Sequence, residues 1–174
     1  MNGKWLMLLP LVTCITAARV GDSGKCDVVP FKGENFVNFA HVHTGFESNI
    51  ARISGYATKC GVKVLVTSSF RKYGKPISGP TVVPPAIDSN HLVGHAIDMN
   101  LYEGGVLCNS KCLVHPPAQL KGVRCFISSI QRDSTLRWGG DFHTKDPVHI
   151  DDGLNVHNRS LYNIIFISLQ KNCK

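Results

Sequence analysis

Histidine and carboxylate side chains recur in this chain at spacings that suit a metal site. His91 and Asp98 lie seven residues apart with Gly94 between them, and His149 lies further along. If Gly94 lets the chain turn into a strand, His91 and Asp98 point to one polar face. Zinc accepts imidazole nitrogen and carboxylate oxygen as ligands, and three protein ligands leave a fourth position open for water. The spacing therefore predicts a catalytic zinc site made by His91, Asp98 and His149.

Two further charged residues are candidates for chemistry beside such a metal. Asp146 lies three residues before His149, and a carboxylate there can take a proton from an attacking water and hand it to a leaving amine. Arg71 lies just beyond an apolar segment, residues 62–68. A planar guanidinium can stabilise an oxyanion or bind a substrate carboxylate. We therefore predict that Asp146 and Arg71 are catalytic residues of a hydrolase that cleaves an amide bond.

Short strands are predicted to carry these side chains. The segment around Asp98 alternates apolar and polar residues, which is typical of a half-buried strand with one polar face. The same alternation surrounds His149. The segments predicted as strands are 62–68, 96–101, 136–138 and 148–151.

Helical spacing of apolar residues predicts helices around these strands. Thr44 and Glu47 have the spacing of a capping box ahead of a helix over residues 45–60, and Gly61 stands where such a helix would end. The helices do not alternate regularly with the strands, which favours an α+β domain. The remaining predictions are helices over 125–131 and 161–169, and loop-rich segments over 72–90 and 103–124.

Four motifs in this order resemble a known family of enzymes. Residues 89–98 read Ser-x-His-x-x-Gly-x-Ala-x-Asp, and they follow Ser68-Ser69-Phe70-Arg71. They precede Trp138-Gly139-Gly140-Asp141-Phe142 and Asp146-x-x-His149. This series is similar to the zinc peptidases that cut peptidoglycan stem peptides, namely VanY-type D-Ala-D-Ala carboxypeptidases and phage-type L-Ala-D-Glu endopeptidases. The resemblance implies the hedgehog/DD-peptidase fold, a small antiparallel sheet flanked by helices.

The resemblance also implies a function and a role for each site residue. It implies a zinc metallopeptidase acting on peptidoglycan peptides, with His91, Asp98 and His149 as ligands, Asp146 as base and Arg71 as the stabilising cation. The motifs do not separate a carboxypeptidase from an endopeptidase. Hedgehog signalling domains share this fold and a similar zinc triad, so a secreted, non-catalytic binding or signalling domain is the alternative. The presence of Asp146 at the family spacing favours the enzyme.

The composition excludes several other classes of protein. A chain of 174 residues that is 43% hydrophobic suits a globular domain and excludes disorder as its main state. No apolar run in the body of the chain reaches the roughly 18 residues that a membrane span needs. The net charge of +7 is not accompanied by any nucleic-acid-binding motif. We therefore expect a monomer with no nucleic-acid partner and no membrane span.

The N-terminus has the pattern of a secretory signal peptide. A basic Lys4 precedes the apolar run Trp5–Ile15, and small residues follow up to Ala18. A membrane anchor is the alternative, but the run is too short for one. We therefore expect a secreted, extracellular protein. The predicted division is a signal peptide over 1–18, an N-terminal extension over 19–43 and a zinc peptidase domain over 44–174.

The cysteine count agrees with secretion. Six cysteines lie beyond the predicted signal peptide, an even number that in an oxidising compartment predicts three disulfides. Their spacing leaves the pairing open. A thiolate metal site at Cys108 and Cys112 is the alternative, although no second close pair completes it. The six are Cys26, Cys60, Cys108, Cys112, Cys125 and Cys173.

Overall fold

The described part of the chain is an α+β fold, as the sequence predicts. A computed structural model of the protein describes residues 24–76 and 81–174, so the predicted signal peptide over 1–18 lies outside the described residues. The strands within this part are β1 (Val28–Phe31), β2 (Ala40–His43), β3 (Lys63–Ser68), β4 (Ala96–Glu103), β5 (Val106–Cys108), β6 (Arg137–Trp138) and β7 (His149–Asp151).

Helices of very different length connect these strands and close the chain. The two longest have 14 residues each, and they stand before β3 and at the C-terminal end. The helices in the described residues are α1 (Glu47–Cys60), α2 (Ser110–Val114), α3 (Lys121–Gln131), α4 (Leu154–His157) and α5 (Arg159–Asn172).

The main sheet is antiparallel and is built around β4. Its strand order is β3-β4-β7-β6, and β5 pairs with the far half of β4. Side chains of a strand alternate between the two faces of the sheet, so Ile97, Met99 and Leu101 share one face, where all three are fully buried. Asp98 and Asn100 therefore point to the opposite, polar face. The helices α1 and α3 belong to the same core as the apolar face.

A second, smaller core holds the C-terminal helix against the start of β4. Its buried side chains include Val93 from the turn before β4 together with Tyr162 and Leu169 from α5. A disulfide between Cys26 and Cys173 ties the end of the chain to the segment before β1. The helix α5 is thus fastened at its C-terminal end.

The segment predicted as an N-terminal extension contains structure that the sequence analysis did not identify. Strands β1 and β2 form an antiparallel pair, and Val42 is fully buried in the main core. Phe36 forms an isolated parallel bridge with Val64 at the free edge of β3. The sequence shows no strand signal at β1, which contains Pro30, a residue that argues against a strand. The boundary at residue 44 stays a prediction.

The capping box predicted for α1 is wrong, whereas the predicted end of the helix is correct. A 3-10 turn over Thr44–Phe46 precedes α1, and the first-turn donor Gly45 N is bound by His43 Nδ1 at 3.1 Å. Phe46 is the N-cap of α1 and makes no side-chain capping bond. Because β2 runs directly into this turn, Thr44 lies inside it instead of capping α1. Gly61 ends the helix with φ +66°.

The cysteines form three disulfides in the described residues, and the alternative of a thiolate metal site is excluded. Cys60 joins α1 to Cys125 of α3, and Cys108 pairs with Cys112 across a short loop. Together with Cys26–Cys173, these bonds use all six predicted cysteines. None of the helices in the described ranges is long and apolar enough to cross a membrane.

Candidate metal centre

Three backbone elements bring His91, Asp98 and His149 together on the polar face of the sheet. Asp98 of β4 and His149 of β7 are direct partners across the antiparallel register, and directly opposite residues project from the same face. His91 lies in a 3-10 turn over Asn90–Val93, just before β4. Gly94 ends this turn with φ +68°, and a Cβ atom there would lie 2.6 Å from the backbone nitrogen of His43.

The three candidate ligand atoms form a nearly equilateral triangle. Nε2 of His91 lies 3.1 Å from Oδ1 of Asp98 and 3.2 Å from Nδ1 of His149, and the third side, from His149 to Asp98, is 3.1 Å. Two ligands of a tetrahedral zinc ion with ordinary bond lengths lie about 3.3 Å apart. The spacing therefore fits a small tetrahedral metal ion.

A backbone carbonyl sets the tautomer of His91. Nδ1 of His91 lies 2.8 Å from the carbonyl oxygen of Ser69. A carbonyl oxygen only accepts hydrogen bonds, so Nδ1 carries the proton in the neutral ring. The lone pair of Nε2 then faces Asp98. Residues that orient a metal-binding histidine in this way are a regular feature of metal sites.

A carboxylate sets the tautomer of His149. Nε2 of His149 lies 3.1 Å from Oδ2 of Asp151, which accepts its proton and leaves the lone pair of Nδ1 facing the triangle. Arg137 holds Asp151 through two bonds of 2.7 Å. Asn90 Nδ2 and Gly153 N donate to the same carboxylate at 2.9 and 3.0 Å. Asp151 is therefore saturated with donors and firmly placed.

The chemistry of the donor set calls for a cation. When both rings are neutral in these tautomers, as metal binding requires, two nitrogen lone pairs and one carboxylate oxygen converge on one point. The histidine side chains are buried, with His91 2% and His149 8% exposed. In the described residues, these are the three side chains whose ligand atoms are close enough together to hold a metal ion. Two nitrogens and one oxygen suit zinc.

The charges around the triangle also favour a positive ion. Burial by itself would raise the pKa of Asp98, but His91 and His149 outweigh burial and hold that pKa well below its usual range. Burial by itself would lower the pKa of His149, yet its hydrogen bonds to Asp151 and Asp98 raise it to about 9. The two carboxylates thus stabilise positive charge at this position.

Asp146 presents an unpaired carboxylate near the triad. Its Oδ1 atom is buried and has no hydrogen-bond partner in the described residues. Burial raises the pKa of Asp146, and the negative charge of Asp98 raises it further. The backbone around Asp146 is fixed, because its nitrogen donates to Gly139 O at 2.8 Å and its carbonyl accepts from His149 N at 3.0 Å. A Cβ atom on Gly139 would lie 2.2 Å from that carbonyl oxygen.

The segment that carries the triad and Asp146 is similar to a known enzyme family. Residues 84–152 match the family model of D-alanyl-D-alanine carboxypeptidases. None of the curated proteins matches the chain. The match and the triad together fit a peptidase of this carboxypeptidase kind, so the resemblance seen in the sequence is confirmed.

Arg71 lies outside the segment that matches the carboxypeptidase family but faces the same cleft. Its Nη2 atom donates to Ser89 Oγ at 3.1 Å, and its backbone nitrogen donates to His91 O at 3.1 Å. Burial lowers the pKa of Arg71 below its ordinary value, although Asp98 and Asp146 oppose that shift. The guanidinium forms no ion pair within the described ranges, so its charge is available to a ligand.

All five predicted site residues line one open cleft of about 1010 Å³. That volume is at the upper end of what small-ligand pockets have. The loop over 81–86 forms part of the wall, and Phe142 stands near the triad with its ring centroid 5.9 Å from that of His149. The structure therefore places the candidate ligands, Asp146 and Arg71 around one common space.

The sequence analysis did not identify Asp151 and Arg137 as part of this carboxypeptidase-like site. The signal for Asp151 was present, because residues two apart on a strand share a face and His149 precedes it by two. Arg137 gave no comparable signal. It meets Asp151 through the register between β6 and β7, which is a relation between distant segments of the chain.

Proposed function

We propose that this protein is a secreted zinc metallopeptidase that hydrolyses peptide bonds in peptidoglycan stem peptides. It would act as a D-Ala-D-Ala carboxypeptidase or as an L-Ala-D-Glu endopeptidase. One observation carries the proposal: the candidate ligand atoms of His91, Asp98 and His149 converge in one cleft that the carboxylate of Asp146 also lines. The match of residues 84–152 supports a peptidase of the D-Ala-D-Ala carboxypeptidase kind.

Secretion is supported by the disulfides. Three disulfides join cysteines of the described residues, and such bonds persist in oxidising compartments. The signal pattern predicted over residues 1–18 agrees with this location.

In the proposed reaction, His91, Asp98 and His149 hold the metal ion. A zinc ion bound by three protein ligands supplies Lewis-acid activation of water and of the substrate carbonyl. The carboxylate of Asp146 takes the proton of the attacking water and delivers it to the nitrogen of the leaving amine. The raised pKa of Asp146 suits the first step, because it makes the carboxylate a better proton acceptor.

Arg71 supplies positive charge on the wall of the cleft. Its guanidinium donates hydrogen bonds to the oxygen on which negative charge develops, or to the terminal carboxylate of the substrate. Ser89 orients the guanidinium through the 3.1 Å bond to Nη2. A half-buried guanidinium is effective here because charge interactions strengthen where water is excluded.

The experiment is mass spectrometry of peptidoglycan fragments after incubation with the purified, zinc-loaded protein. Loss of a terminal D-Ala is expected from a carboxypeptidase, and a new cut between L-Ala and D-Glu is expected from an endopeptidase. Asp146→Ala is expected to bind zinc and to release no fragments. Asp141→Ala is the matched control, since Asp141 is an exposed carboxylate that pairs with Gln131 and does not line the cleft.

A folded, zinc-loaded wild-type protein that cuts no peptidoglycan would overturn the proposal. That outcome would favour a non-catalytic binding or signalling domain of the hedgehog kind. Equal activity of Asp146→Ala and Asp141→Ala would instead remove Asp146 from the mechanism while leaving the peptidase activity in place.

A further inference from the structure

A polar position of β4 lies beside the metal triad, on the face of the sheet that carries Asp98. The first half of β4 pairs with β7 up to Asp98, and its last residues pair with β5 from Leu101 onward. Asn100 lies between these two ladders, on the same face as Asp98. Two residues of a strand span about 6.6–6.8 Å. Asn100 therefore lies next to the triad on the floor of the cleft, which its side chain lines.

The segment clipped by Cys108 and Cys112 forms the wall beside Asn100. The register pairs Leu101 with Cys108, which is fully buried and anchors the segment to β4. The next two residues, Asn109 and Ser110, line the cleft. The disulfide between Cys108 and Cys112 closes the loop that presents them.

These three side chains have hydrogen-bonding groups left over for a ligand. The side chains of Asn100 and Ser110 make no hydrogen bond in the part of the chain that the structure describes. Oδ1 of Asn109 caps α2 by accepting from the backbone nitrogens of Lys111 and Cys112 at 3.2 and 3.4 Å. Its amide nitrogen makes no such bond in the described ranges and is free to donate.

This wall is uncharged, in contrast to the rest of the metal site. The charges of the cleft lie on Asp98, Asp146 and Arg71 and on the pair formed by Arg137 and Asp151. Amide and hydroxyl groups next to them suit a neutral partner with both donors and acceptors, which is the character of a peptide backbone. The distance along β4 from Asp98 to Asn100 corresponds to about two residues of an extended peptide.

We propose that Asn100, Asn109 and Ser110 form a substrate-binding subsite that holds the backbone of the stem peptide about two residues from the bond that is cut. This inference rests on the proposed function. The disulfide Cys108–Cys112 positions the subsite by fixing the loop on which Asn109 and Ser110 stand.

The test measures binding of a synthetic stem pentapeptide ending in D-Ala-D-Ala to the zinc-loaded Asp146→Ala protein by titration calorimetry. In this background, Asn100→Ala and Ser110→Ala are each expected to raise the dissociation constant about three- to tenfold, the usual effect of one lost hydrogen bond. Asn109→Ser is expected to do the same while preserving the helix cap, because serine also caps helices well.

Asn158→Ala is the matched control for a lost cap. Asn158 caps α5 through Leu161 N at 3.1 Å and does not line the cleft, so its loss is expected to leave the dissociation constant unchanged. Two shortened peptides, each lacking two residues at one end, add a readout that a structural defect would not move. The peptide that lacks the residues bound by the subsite is expected to bind the subsite variants and the parent protein with equal affinity.

The outcomes separate this inference from the proposed function. Binding of the pentapeptide that all three subsite variants leave unchanged would overturn the subsite and leave the proposed function standing. Absence of binding to every protein in the series would overturn the subsite together with the proposed substrate class. The expected result is that the three subsite variants bind the pentapeptide more weakly than the parent protein does, with unchanged zinc content. This difference is expected to disappear for the peptide shortened at one of its two ends.

Discussion

Asp151 accepts a hydrogen bond from Nε2 of His149 at 3.1 Å, and this contact decides which nitrogen of His149 faces Asp98. The two residues share a face of β7, and Asp151 is 2% exposed. Arg137 binds both oxygens of the same carboxylate. The orientation of one candidate ligand is thus set by a residue that does not itself belong to the triad.

Asp151→Asn is expected to lower zinc affinity about tenfold, because a neutral amide orients His149 less strongly and leaves Arg137 without its ion-pair partner. Competition with a zinc-binding chelator measures the affinity. Asp152→Asn is the control, since Asp152 instead binds His95 Nδ1 through Oδ2 at 2.6 Å. Equal zinc affinity for the wild type and Asp151→Asn would contradict an orienting role for Asp151.

Asp146→Asn is expected to reduce hydrolysis at least a hundredfold, the usual contribution of a general base, with zinc content unchanged. The same change is expected to raise the free energy of unfolding of the zinc-free protein by about 0.5–1 kcal/mol, because it removes a half-buried negative charge whose Oδ1 atom has no hydrogen-bond partner in the described residues. Steady-state rates and urea denaturation measure the two effects. If Asp146→Asn instead lowered the free energy of unfolding as well as the rate of hydrolysis, Asp146 would have a structural role.

Arg71→Lys is expected to lower kcat/KM about a hundredfold, because an ammonium group cannot reproduce the planar, two-pronged donor of a guanidinium. Zinc content is expected to stay the same. Arg132→Lys is the matched control, since Arg132 also donates to a serine, Ser128, but is exposed and outside the cleft. If both variants retained full kcat/KM on a defined peptide, Arg71 would have no part in the reaction.

The stability of the zinc-free protein is expected to fall between about pH 6.5 and pH 4 because of His43. Nδ1 of His43 lies 3.0 Å from His95 Nε2. Burial, followed by the charge of His95, lowers the pKa of His43 to about 4, although Asp27 and Asp152 oppose the shift. In this window the unfolded chain binds more protons at His43 than the folded chain does, so acid favours unfolding.

The size expected for this effect is roughly 1–2 kcal/mol, after allowing for solvent screening of a half-buried ring. Urea denaturation at pH 7.5 and pH 4.5 measures it for the wild type and for His43→Asn, which retains a hydrogen-bond acceptor. All other groups titrate in both proteins. The difference between the two proteins in how their free energy of unfolding changes with pH therefore gives the contribution of His43. Identical pH dependence of the two proteins would refute the assignment.

The sequence by itself determined the elements that local pattern can encode. The alternation around Asp98 and the apolar spacing before Gly61 identified β4 and α1, because side-chain direction repeats every two residues in a strand and about every 3.6 in a helix. The motif from Ser89 to Asp98 and the pair Asp146 and His149 indicated the peptidase family. Their roles as ligands and base stay predictions.

Only the tertiary structure decided the relations between distant segments. The partners of the six cysteines, the ion pair between Arg137 and Asp151 and the wall beside Asn100 depend on strand register and helix packing, which no local pattern records. The capping box at Thr44 failed for the same reason, because β2 runs directly into the turn that contains it. Periodicity depends on residues that are close in sequence and can be detected from them. Strand register depends on how whole elements bury their apolar faces against one another.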